Sequence, residues 1–169
     1  MSKRIPLSQG RFAIVDDADF EWLSQWKWSY NAHKRTDYAV RAIGRRADQV
    51  TIYMHRIIAN PPSGKETDHI NGNGLDNRRC NLRVCTRSQN HMNRRKQANC
   101  SSQYRGVSWD KARQKWWVEI SRCHRECRRI GRFDDEREAA RAYDRVALEY
   151  FGAFAHLNFP KEVADANTY

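Results

Sequence analysis

DHINGNGLDNRRCNLRVCTRSQN, residues 68–90, brings a carboxylate (Asp68), an imidazole (His69) and two amides (Asn81 and Asn90) around a turn-forming tract. The tract NGNG at 71–74 favours a loop, because Gly and Asn accept turn conformations that other residues resist. Residues 66–70 then read as a strand entering the loop, and Leu82–Cys85 as a short returning strand. Successive strand side chains point to opposite faces, so a bulge or a strand end is needed to bring both Asp68 and His69 to one site. Asn81 falls in the loop, where its amide can bond backbone groups on both sides and hold the strands in register. After Thr86 the run RSQNHMNRRKQA has neither Gly nor Pro; Thr86 or Ser88 is placed to cap a helix that presents Asn90 in its first turn.

These residue types suit hydrolysis of a phosphodiester, which requires a hard cation on the phosphate and a base for the attacking water. Asp68 offers a charged oxygen and Asn90 a neutral one, donors that suit Mg²⁺ or Mn²⁺ better than a thiolate set would. His69 is the natural base, since an ordinary imidazole pKa of about 6.5 leaves it largely neutral near pH 7. The segment resembles the HNH nucleases with their ββα-metal core, in particular phage and intron homing endonucleases whose motif reads DH, then NLR, then N. The resemblance runs over residues 53–96. It implies that Asp68 and Asn90 bind the metal, that His69 is the general base, and that Asn81 braces the loop. Many family members carry a second helix ligand one turn further on; Arg94 stands there in this chain, which leaves two side-chain ligands. The competing reading makes DHINGNGLDN a polar surface loop and nothing more. His55, within the apolar pattern Ile52, Met54, Ile57 and Ile58, reads as a packed structural histidine, and His91 as a phosphate contact or a solvated residue.

The C-terminal third carries YRGV (104–107), GRF (131–133), EAARAYD (138–144) and FGAFAHLNF (151–159). Residues 104–109, 115–122 and 128–133 read as strands, with DKARQ as a turn. From Asp135 the chain reads as a helix with Ala139, Ala142, Tyr143, Val146, Ala147 and Tyr150 on one stripe, and Gly152 as its stop. Acids at Asp134, Asp135, Glu136 and Glu138 suit the positive end of the helix dipole. From Arg105 to Arg132 there are nine Lys or Arg against three acids, so the sheet and not the helix carries the positive charge. In their order these motifs resemble the APETALA-type, or ethylene-responsive, DNA-binding domain, which implies a three-stranded antiparallel sheet in the major groove with a helix behind it. Arg105 and Lys115 match its basic contact positions, and Trp116 or Trp117 its aromatic region. Lys111, Arg113, Arg128 and Arg129 complete the expected DNA face, with Arg94, Arg95 and Lys96 on the stretch leading to it. Ser108 and Ser121 stand where plant members commonly have Arg, and Arg129 near a position that is often Trp, so base preference does not transfer.

The first fifty residues begin with a short strand pattern (Phe12, Ile14, Val15), continue into an acidic segment suited to a short helix, and place Trp26 and Trp28 on one face of a strand. YAVRAIGRRADQVTIYMHRII reads as a hairpin around Gly44–Asp48. The Trp residues read as core, because a small β module needs large apolar side chains. A chain of 169 residues allows one or two small domains. A formal charge of +11 and a pI near 9.8 favour a polyanionic partner, and Arg78 to Lys96 holds seven Lys or Arg and no acid. No stretch approaches the ~20 apolar residues of a membrane span, and no amphipathic basic helix stands out, which argues against a membrane partner. MSKRIPLSQG lacks a secretory core. Five cysteines without a CxxC pair fit a reduced cytoplasmic setting, and Cys123, His124 and Cys127 lack a fourth zinc ligand.

The expectation is an α+β chain: an N-terminal β meander (1–52) leading into a ββα-metal core (53–98), a joint at 96–102, a three-stranded sheet packed on one helix (101–160), and a tail (161–169). The expected function is a homing-type DNA endonuclease using Mg²⁺ or Mn²⁺ on double-stranded DNA, a monomer or weak dimer encoded by a phage or bacterium. The alternative is a sequence-specific transcription regulator without nuclease activity, with RNA binding as a third reading.

Overall fold

A computed structural model describes residues 1–33, 36–45, 48–93, 100–123, 126–160 and 162. The architecture is α+β with several small antiparallel sheets, divided into two compact units, Met1–Asn90 and His91–Tyr169.

In the first unit, β1 (Ser2–Pro6) and β2 (Phe12–Asp16) form an antiparallel hairpin, followed by α1 (Asp17–Ser24). A meander of β3 (Ser29–Asn31), β4 (Tyr38–Ile43) and β5 (Val50–Tyr53) leads into α2 (Met54–Ala59). Then come β6 (Glu66–His69), β7 (Leu82–Cys85) and α3 (Arg87–Met92). Ile5, Leu7, Ala13, Val15, Leu23, Trp28, Ala39, Met54 and Ile58 make a single core cluster. Residues before and after position 53 therefore bury their apolar faces together.

Two expectations are corrected in this unit, and one strand is added to it. The apolar run through Ile58 does not continue the hairpin: it turns helical at Met54, and Met54 and Ile58, four residues apart, share the face that enters the core. β1 escapes the pattern because Ile5 is its one buried residue. Trp28 is buried and donates its indole N–H to the Leu23 carbonyl at 2.9 Å, but Trp26 remains 48% exposed, with the Arg41 guanidinium 3.9 Å above its ring. Cation–π stacking in place of burial satisfies that side chain.

In the second unit β8 (Val107–Asp110), β9 (Lys115–Cys123) and β10 (Glu126–Phe133) form a sheet in the order β10-β9-β8, and α4 (Glu136–Phe151) packs on one face. Val107, Val118 and Ile120 meet Ala139, Ala140, Tyr143, Ala147 and Phe151 there. The Asp135 carboxylate accepts the Glu138 N–H at 2.8 Å, an N-cap that satisfies an otherwise open helix donor. Buried Asp144 accepts the backbone N–H groups of Asn158 and Phe159, each at 2.8 Å, and pins the segment after the helix. Among the described residues no helix is long and apolar enough to cross a membrane.

Candidate functional site

β6 and β7 pair without a bulge, in the register Glu66↔Cys85, Thr67↔Val84, Asp68↔Arg83 and His69↔Leu82. The loop between them is held by its own amides. Asn81 accepts the Asn71 N–H at 2.9 Å and donates to the Asp76 carbonyl at 2.7 Å, and the Asn71 amide reaches the Asp76 carboxylate. Arg78 grips both oxygens of Asp76, whose carboxyl is held below the usual range chiefly by that bond. The rest of the unit clamps the loop from outside: Ile14 bonds Leu75 and Asn77 through its backbone at 2.8 and 2.7 Å, Arg79 grips buried Asp19, and Thr36 bridges Gly72 and Gly74.

One face of β6 carries Glu66 and Asp68. Arg83, directly across the ladder, places Nε and Nη2 on the same Asp68 oxygen at 2.9 and 2.7 Å. α3 begins with a reciprocal cap: Thr86 Oγ accepts the Gln89 N–H and the Gln89 side chain accepts the Thr86 N–H. That start aims Asn90 at β6, where its amide nitrogen donates to Glu66 at 2.7 Å. Burial, followed by the charges of Asp68 and Glu66, pushes the Cys85 thiol up to about 11, and it stays a thiol. The oxygens of Asp68, Glu66 and Asn90 suit a hard divalent cation, and the closed-up thiol does not compete for a soft one. Among the described residues, no three His, Cys, Asp or Glu side chains gather as a ligand cluster. Any cation bound here would rely on the Asn90 amide oxygen beside the carboxylates.

His69 ends β6, and its neighbours differ from those of Asp68. Its Nε2 lies 3.3 Å from Asn77 Oδ1, and His55 packs edge-on at 4.9 Å with Tyr38 at 6.1 Å between ring centres. The Asn77 amide faces the ring at Nε2 and orients it. Burial lowers the His69 pKa, against the opposing pull of the Asn77 bond and the Asp68 and Asp76 charges. The imidazole is thus kept in its proton-accepting form near neutrality. His55 is buried in the same aromatic group, as a packed residue.

Glu66, Arg83 and Asn77 were not singled out by the motif. Glu66 could have been found from its two-residue offset to Asp68, and Arg83 from the ladder that Asn81 sets. Asn77 hides among turn residues.

In the second unit the strand register divides the expected DNA-contact residues. Trp117 and Arg132 are paired neighbours on the sheet face away from α4, with the Arg132 guanidinium 4.3 Å from the indole and Arg129 at 5.8 Å. Trp116 lies on the other face, packed against the core and edge-on to Trp109 at 4.9 Å. Arg128 sits opposite buried Ile120 and turns toward Glu149 and Tyr150 of α4. Strand alternation therefore removes Trp116 and Arg128 from the outer face. Lys115 pairs with Asp134 at 2.8 Å, Arg113 and Lys111 are exposed in the β8–β9 turn, and Arg105 is half-buried beside Gly106. Arg94, Arg95 and Lys96 lie outside the described residues.

A family model described as HNH endonuclease matches residues 53–92. Along 152 residues, 89% of this chain and 76% of the relative, the protein is 31% identical to an uncharacterized HNH endonuclease of Acanthamoeba polyphaga mimivirus. Shorter likenesses join it to plant proteins: 42% identity over 69 residues with dehydration-responsive element-binding protein 2D of Arabidopsis thaliana, covering 38% of this chain and 32% of that one. An APETALA2-like protein of Oryza sativa subsp. indica is 42% identical over 59 residues, 35% of this chain and 13% of its own length. The chain thus spans about a third or less of these plant relatives. Among solved structures none matches. The plant likenesses are partial, but the viral one runs through nearly the whole chain and agrees with the family match over the β6, β7 and α3 segment: this protein belongs to the HNH endonuclease family.

Proposed function

We propose that the protein is a metal-dependent endonuclease of homing type that hydrolyses phosphodiester bonds in duplex DNA, with residues 53–98 as a ββα-metal nuclease core and residues 101–160 as an APETALA-type module that locates the duplex. The observation that carries this reading is the pairing of two environments at the end of one strand: oxygen donors on the Asp68 side, and a buried imidazole oriented by Asn77 at His69.

In this reading the His69 imidazole, its ring held by Asn77, takes the proton of a water that attacks phosphorus; the P–O3′ bond breaks, and the departing 3′-oxygen takes a proton from solvent to leave a 5′-phosphate and a 3′-hydroxyl. Asp68 and Asn90, with Glu66 alongside, would hold Mg²⁺ or Mn²⁺. A divalent ion bound there supplies charge stabilisation at the phosphate. Asn81 keeps the loop in register so that His69 and Asp68 leave the strand end in fixed directions. The outer sheet face, with Trp117, Arg129 and Arg132, together with Lys111, Arg113 and Lys115, provides a basic, aromatic surface for the duplex. Tethering the two modules raises the local concentration of a bound site at the nuclease, so neither module needs high affinity alone.

A plasmid-nicking assay of the wild type and His69→Ala, with Mg²⁺, with Mn²⁺ and with chelator, tests the reading. Metal-dependent nicking by the wild type, and duplex binding without nicking by the variant, are expected. Undiminished nicking by His69→Ala would remove His69 as the base. Tight duplex binding with no nicking by the wild type under any condition would favour the DNA-binding regulator that the plant likenesses bring to mind.

A further inference from the structure

We propose that Arg83 is a resident counter-charge for Asp68: a positioning residue that holds the carboxylate until a divalent cation displaces it, and so sets the cation affinity of the site. The inference rests on the reading of Asp68 as a metal ligand.

The ladder puts Arg83 opposite Asp68, and two guanidinium nitrogens converge on one carboxylate oxygen at 2.9 and 2.7 Å. The two side chains are 15% and 7% exposed, so water screens the pair little. Glu66 follows the same strand face two residues back, roughly 7 Å away along the strand, and is itself oriented by Asn90. Two carboxylates this close on a half-buried face repel unless a cation lies beside them. Arg83 supplies that cation permanently, because a guanidinium is not deprotonated in proteins. An arriving metal ion needs lone pairs of the same carboxylate and competes with a charge-assisted, two-donor contact. Metal affinity is then the difference between two strong interactions, whereas the folded strand end is kept in shape with or without the ion. A purely structural ion pair would behave differently: its loss would weaken the fold and leave metal binding unchanged or poorer.

Calorimetric titration of Mn²⁺ into the full chain, free of DNA, separates these cases with the wild type, Arg83→Gln, Arg83→Lys and Asp68→Asn. Arg83→Gln is expected to bind Mn²⁺ roughly tenfold more tightly, the scale of one released charge-assisted contact. Arg83→Lys, with one compact ammonium in place of a fork, is expected to tighten binding by about threefold. The unfolding midpoint of Arg83→Gln should fall in chelator and recover with Mn²⁺, since a ligand that binds only the folded state stabilises it. An unchanged or weaker affinity in Arg83→Gln, with binding lost in Asp68→Asn, overturns the role of Arg83 alone. If Arg83→Gln does not fold, an unchanged or weaker affinity in Arg83→Lys overturns it in the same way. Wild-type Mn²⁺ binding by Asp68→Asn removes Asp68 as a ligand, and the proposal falls with it.

Discussion

Replacing His55 with glutamine should remove an acid-sensitive part of the stability of residues 1–90. The imidazole is 7% exposed, its Nδ1 has no hydrogen-bond partner among the described residues, and Tyr38 from β4, Tyr53 from β5 and His69 from β6 close around it. Burial, with smaller contributions from His69 and Arg56, lowers its pKa from 6.5 to about 3. As the pH falls, the unfolded chain takes up this proton before the folded one does. The contribution is therefore whole above about pH 6.5, is lost as the pH drops towards 3, and changes no further below that. At pH 4.5 the unfolded imidazole lies two units below its own pKa, which removes about 2.7 kcal/mol relative to pH 8. That figure depends on the unfolded pKa alone as long as the folded value stays under 4.5. Carboxylates and His69 titrate in both proteins, so the informative quantity is the difference in loss between wild type and His55→Gln. Urea unfolding at pH 8 and pH 4.5, followed by amide hydrogen exchange in peptides from residues 1–90, gives it without interference from the C-terminal unit. The wild type should lose 2–3 kcal/mol more than the variant, on the order of two pKa units. Equal losses would refute a His55 held neutral by burial.

Asn81→Ala removes a buried acceptor for the Asn71 N–H and a buried donor to the Asp76 carbonyl, and should destabilise the first unit by about 2 kcal/mol in urea unfolding; wild-type stability would mean the loop holds its register without the amide. Gly106→Ala drives a Cβ into the Tyr143 ring at a φ of +72°, and a loss of more than about 2 kcal/mol is expected from hydrogen exchange of residues 100–160. Trp117→Ala should lower duplex affinity roughly tenfold in fluorescence anisotropy at fixed salt while leaving the melting temperature nearly unchanged. Trp116→Ala should do the reverse, losing about 2–3 kcal/mol of stability through its contacts with the core. Full affinity in Trp117→Ala would show that the outer sheet face is not the DNA contact.

What could be read from the sequence, and what could not, follows the distance over which each feature is determined. β6, the loop, β7 and the Thr86–Gln89 cap are specified within 24 consecutive residues, by turn-forming Asn and Gly and by a capping pair three residues apart. The sheet and helix of the second unit are legible for the same reason, since each strand alternates and the helix carries its own cap and apolar stripe. α2 was missed because Tyr53–Ile58 satisfies strand alternation about as well as helical spacing, and the choice is made by a core contributed by Ile5, Val15, Leu23 and Trp28. The outer and inner faces of the second sheet could not be told apart while adjacent Trp116 and Trp117 both looked suitable; the ladder with β8 and β10 decides it.

The site shows the same division at higher resolution. Asp68, His69, Asn81 and Asn90 stand out because their spacing is local. Asn77 does not, although its amide faces the His69 ring, because its own place is set by a backbone bond to Ile14, 63 residues earlier. Asp19 and Asp16 receive Arg79 across a similar span, and Thr36 reaches Gly72 and Gly74. Each of these bonds ends on the loop between β6 and β7, so the first fifty residues act on the chemistry through that loop. A substitution such as Asp19→Ala, distant from His69 in sequence and without a contact to it, leaves the Arg79 guanidinium without its buried acceptor and loosens the loop that carries Asn77. The expected signature is a fall in nicking rate with Mn²⁺ affinity retained, because Asp68, Glu66 and Asn90 are held by the ladder and by the α3 cap. Equal loss of both would place the N-terminal hairpin under the whole site, and loss of neither would leave the loop self-supporting through Asn71, Asp76 and Asn81.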